Sequence, residues 1–112
     1  MQFLVNVIDD GQAAEVGRTE SATQQEMDAV DAFNARLGDA IVIAAGVSAP
    51  DDATVVDARS GSTVTTPGPV FPGEQFVAGF WVMDLPDAET ALRVATEASA
   101  ACNRKIELRP LL

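Results

Sequence analysis

Histidine and tyrosine are both absent from this 112-residue chain, and cysteine occurs once, as Cys102. Without histidine the chain lacks the one side chain whose ordinary pKa suits proton transfer at neutral pH, and it lacks the commonest metal ligand. A single cysteine excludes an internal disulfide and any cysteine-based zinc cage. Cys102 reads instead as a small apolar residue on the inner face of the last helix. Positive charge is scarce as well: 7 basic residues stand against 17 acidic ones, for a net charge of -10. A surface of that sign repels phosphate backbones and anionic lipid heads, so nucleic acid and membrane are poor partners and a solvated acidic exterior is expected. No apolar run approaches the roughly 20 residues that span a bilayer. The opening Met-Gln-Phe-Leu-Val has neither a basic leader nor a cleavage site, which makes a cytoplasmic protein the expectation.

What the chain does have is material for one core. Hydrophobic residues make up 47% and charged residues 21%, a globular balance. A chain of this length forms a single domain that hides roughly two thirds of its unfolded surface.

The pattern along the sequence predicts alternating strands and helices. Residues 3–8 read as a strand buried on both faces for most of its length, with Asn6 as its polar exception, and Asp9-Asp10-Gly11 as the turn that ends it. Residues 12–20 are weakly patterned. A helix then starts near Ser21 or Thr23, each with a partner at capping-box spacing, Gln24 or Glu26. Its inward stripe is Met27, Val30, Phe33 and Leu37, and Gly38 stops it. Strands follow at 40–45, 53–58 and 62–66, the last two joined by an Arg59-Ser60-Gly61-Ser62 turn. Another strand covers 75–83, with Gly79 in mid-strand marking a bulge or a close backbone approach. Asp87 caps a second helix, whose buried side is Ala88, Ala91, Leu92, Ala95, Ala98 or Ser99, and Cys102. A closing strand covers 105–108. This order predicts an α+β fold of ferredoxin-like, split βαβ type with an antiparallel sheet. Helices on one face would leave residues such as Leu4, Phe80 or Trp81 bare on the other, where a second copy of the chain is the simplest cover.

Few residues invite chemistry. Asp9 and Asp10 could form a carboxylate pair for proton transfer or for a hard cation, but neighbours on a strand point to opposite faces, and turn chemistry explains them better. Asn6 must satisfy its amide, either inside the core or lining a ligand cleft. Phe71, Phe76, Phe80 and Trp81 surround a Pro/Gly-rich loop. Packing is their default; the sharper expectation is an apolar pocket roofed by that loop, with Gln75 and Asn6 orienting a ligand. Gly68 and Gly73 lack the spacing of any phosphate loop. No metal site and no cofactor are expected.

The loop itself, Thr66-Pro67-Gly68-Pro69-Val70-Phe71-Pro72-Gly73, runs into Ala78-Gly79-Phe80-Trp81, and the chain closes on Ile106-Glu107-Leu108-Arg109-Pro110. Taken with the opening strand, this order resembles the YCII-related family, named for an Asp-Gly-Pro-Phe tetrapeptide that leads into a Gly-Gly-aromatic strand. Pro67 stands in place of the tetrapeptide's aspartate and Val70 in place of its phenylalanine. The resemblance implies a homodimer of the dimeric α/β-barrel type, with a cleft between subunits. Some relatives are thought to use a His-Asp pair there, which this chain cannot supply. A non-catalytic ligand-binding or stress-linked accessory protein is therefore expected, holding a small, partly apolar molecule near Asn6, Asp9, Phe71, Gln75 and Trp81. The alternative is a small lyase or isomerase using a carboxylate such as Asp9 or Asp10.

Overall fold

A computed structural model describes residues 1–15 and 22–112. The elements are β1 (Gln2–Asp9), α1 (Gln12–Glu15), α2 (Gln24–Leu37), β2 (Ile41–Gly46), β3 (Thr54–Asp57), β4 (Val64–Pro67), β5 (Phe76–Asp84), α3 (Ala88–Cys102) and β6 (Lys105–Pro110). Four strands form an open sheet in the order β2-β5-β1-β6, and every neighbouring pair is antiparallel. It follows that β1 runs parallel to β2, and β5 to β6. Each parallel pair flanks a strand of the other pair. The sheet does not close on itself; β2 and β6 are its edges. Strands β3 and β4 make a separate two-stranded ribbon inserted between β2 and β5.

Local signals set the helix ends. Thr23 caps α2: its hydroxyl accepts the Glu26 N–H at 3.1 Å, while the Glu26 carboxylate accepts the Thr23 N–H at 2.8 Å. Both halves of the capping box are thus made. Ser21, the other candidate start, lies outside the described residues. Gly38 ends α2 with a positive φ of 54°, a conformation that costs glycine little. For α3 the cap is Asp87, whose carboxylate accepts the Thr90 N–H at 2.7 Å.

Both helices lie on one face of the sheet. Between them and the strands are Phe3, Val5, Phe33, Trp81, Met83, Leu85, Ala91, Val94 and Ala98, all buried. The register explains the set, because Phe3 pairs with Met83 and Val5 with Trp81, placing these four side chains on the same face. The structure corrects three expectations. β1 is buried on one face only: Leu4, Asn6 and Ile8 are half-buried on the side the helices leave open. Trp81 belongs to the covered face, and Phe80 and Val82 to the open one. On α3 the buried stripe is Ala91, Val94, Ala95, Ala98 and Cys102, while Leu92 is 64% exposed. Leu92 sits about 100° around the helix from Ala91, so only one of the two can face the sheet.

Candidate functional site

The inward stripe of α2 divides into two parts. Phe33 is buried in the core with Val30 and Leu37 packed beside it, but Met27, nearer the helix start, is 40% exposed. Beneath that end of the helix lies a cavity of about 450 Å³, bordered by Met27, Val30, Asp31 and Asn34 of α2. Its floor is formed by Ala44 to Gly46 of β2 and by Ala78 to Trp81 of β5, and Cys102 and Arg104 stand at its end. Trp81 apart, the floor presents alanine and glycine, which cannot reach up to the helix; the space between is the result. Gly79 is required there, since a Cβ on it would come within 2.9 Å of the Ala45 carbonyl oxygen. Beside it β1 and β5 slip register between Val7 and Ile8, so the mid-strand glycine marks both a bulge and a close approach.

Trp81 is the aromatic part of this floor. Its ring meets Phe33 edge to face at 5.4 Å, and its indole N–H donates to the Asn34 side-chain oxygen at 2.8 Å. A buried indole N–H needs such an acceptor. Arg104 supplies the charged end. Its side chain is almost fully buried; Nε lies 3.7 Å from the Asp9 carboxylate, and one terminal nitrogen is 3.1 Å from that of Glu26. That nitrogen also donates to the Asn103 carbonyl at 2.9 Å. Burial by itself would raise the pKa of Glu26. Hydrogen bonds from the Thr23 N–H, the Asn103 amide and Arg104, with the charge of Arg104, outweigh it and hold the carboxyl at about 2. Burial pushes the Cys102 thiol above its ordinary value, which keeps it protonated and weakly reactive.

Of the five residues singled out in the sequence, only Trp81 borders the cavity. Asp9 is fully buried, accepts the Gly11 N–H at 2.9 Å and pairs with Arg104, and it does not border the cavity itself. Asn6 lies on the open face and donates to Glu107, its register partner on β6, at 3.1 Å. Gln75 accepts from the Lys105 ammonium at 2.6 Å. Phe71 is 87% exposed and roofs nothing in the described chain. Asp10 pairs with Lys105 at 3.4 Å, a different cation from the one that Asp9 meets. The residues missed were Asn34, Asp31 and Arg104. A signal existed for Asn34: it follows Phe33 near the inward stripe, where an amide is out of place unless a buried donor such as an indole N–H needs it.

Among the described residues no group of three or more acidic or cysteine side chains is placed to hold a metal ion. None of the described helices is long and apolar enough to cross a membrane. No family model matches the chain, and no curated protein matches it.

Proposed function

We propose that this protein binds a small, partly apolar molecule in the cleft between α2 and the sheet, acting as a cytoplasmic accessory protein and not as a catalyst. One observation carries the reading: a cavity of about 450 Å³ with largely aliphatic and aromatic walls and a few polar groups at its rim. Small-molecule sites have that size and composition. The interleaved strand order is the split βαβ, ferredoxin-like pattern, and it is compatible with a divergent YCII-related protein. In that reading the open sheet face, with Leu4, Ile8, Phe80 and Val82, is covered by a second copy of the chain.

The enzymatic alternative draws less support. Asp9 is committed to Arg104 and to a backbone N–H, and Glu26 is held at about 2 and would not carry a proton at neutral pH. Trp81 is the only tryptophan and tyrosine is absent, so indole emission reports on the cavity floor alone. Titration with 3-phenylpropan-1-ol is expected to change that emission saturably. Ala44→Phe, which fills the space over Trp81, should abolish the change, and Phe71→Ala should leave it intact. Loss on Phe71→Ala with retention on Ala44→Phe would move the site to the Pro/Gly loop and overturn the reading.

A further inference from the structure

The polar groups at the rim of the cavity select a ligand class, given that the cleft under α2 is a binding site. Indole nitrogen can only donate a hydrogen bond. Trp81 therefore fixes the side-chain oxygen of Asn34 toward itself, at 2.8 Å. The Asn34 side-chain nitrogen, with two hydrogens to donate, is turned the other way. One helical turn earlier, at the i, i+3 spacing that puts two residues on one face, stands Asp31, which also borders the cavity. Among the described residues neither the Asp31 carboxylate nor the Asn34 nitrogen has a hydrogen-bonding or ionic partner.

Arg104 does not offset this. Among the described residues it is the cationic group bordering the cavity, yet its guanidinium lies between the carboxylates of Asp9 and Glu26. Asp31, at the border of the same cavity, has no cation paired with it among the described residues. The chain as a whole carries a net charge of -10, which draws cations toward such a recess and repels anions.

We propose that the cleft binds a small apolar amine that carries a hydroxyl or carbonyl oxygen beside its nitrogen. The ammonium group pairs with Asp31, the neighbouring oxygen accepts from the Asn34 side-chain nitrogen, and the apolar body lies on Met27, Ala44 and Trp81. The pairing is charge-assisted but partly wet, which limits it to a modest preference.

Trp81 emission provides the test, with three probes of similar size: phenylalaninol, 3-phenylpropan-1-ol and 3-phenylpropionate. The expected order of Kd places phenylalaninol about three- to tenfold tighter than the neutral alcohol, with the carboxylate weakest. Asp31→Asn should bring phenylalaninol to within about twofold of the alcohol without weakening the alcohol. Asp39→Asn, an exposed carboxylate on the turn after α2, should preserve the preference. Equal binding of amine and alcohol, tighter binding of the carboxylate, or a preference that survives Asp31→Asn overturns this inference while the cleft remains a binding site. Failure of all three probes to bind overturns the inference and the binding function together.

Discussion

Arg104 holds together three segments far apart in sequence: the end of β1 through Asp9, the start of α2 through Glu26, and the turn after α3 through the Asn103 carbonyl. Its charge is buried, and removing one member of such a cluster leaves the others unpaired in a medium that solvates them poorly. Glu26 is the member whose contribution depends on pH. Its carboxyl titrates near 4.5 when unfolded and at about 2 when folded. A lowered folded pKa stabilises the native state fully above the unfolded value, and that stability disappears as pH falls from about 4.5 toward 2. A shift of this size corresponds to on the order of 3 kcal/mol. Glu26→Gln should therefore unfold at lower urea concentration at pH 7, by roughly 1–3 kcal/mol. The difference from the native sequence should shrink as pH approaches 2. Urea midpoints measured at both pH values check this; a deficit that is the same at both would remove Glu26 from the acid response.

At the scale of the element, the junction of β2 and β5 controls the cavity. Gly79→Ala would put a methyl group 2.9 Å from the Ala45 carbonyl oxygen, a backbone atom that can yield only if the two strands part. A cost of about 1–3 kcal/mol is expected. It should appear as a lower urea midpoint together with weakened binding of 3-phenylpropan-1-ol, since both strands floor the cleft. Elements of this kind were largely legible in the sequence. The capping pair Thr23 and Glu26, the stop at Gly38, the cap at Asp87 and the mid-strand glycine all act over a few residues, and local chemistry determines them. The site was not legible in the same way. Phe71 and Gln75 are near Trp81 in sequence, but Trp81 faces the helices while the loop lies outside them. Asn34 and Arg104 meet the cavity only through tertiary packing, and no spacing along the chain announces that. Leu92 fails for a simpler reason: in an alanine-rich helix several stripes look equally apolar, and the bulkiest residue need not be on the buried one.

The whole molecule is more extended than its length suggests. The Cα radius of gyration is 15.7 Å, against about 13 Å for a compact domain of this length. The described residues leave one broad face of the sheet uncovered, with Val82 at its centre between Leu4 and Ile43 in register. If a second copy covers that face, sedimentation equilibrium should give twice the 11.7 kDa chain mass. Val82→Lys should then yield a folded monomer with unchanged far-UV circular dichroism. A monomeric native protein would show that the face is solvated and that the cleft under α2 works without a partner. The β3–β4 ribbon has its own bearing on how the molecule can be used. The chain departs from the sheet at Gly46 and rejoins it against the same strand edge, where Gly46 pairs with Gly79. The intervening residues 47–75 therefore form a detour with adjoining ends. Closing a longer or shorter detour changes stability by only about 0.6 kcal/mol per doubling of length. This makes the ribbon a natural attachment point, where a tag, label or foreign peptide could be grafted outboard while the sheet and the recess behind α2 keep their shape.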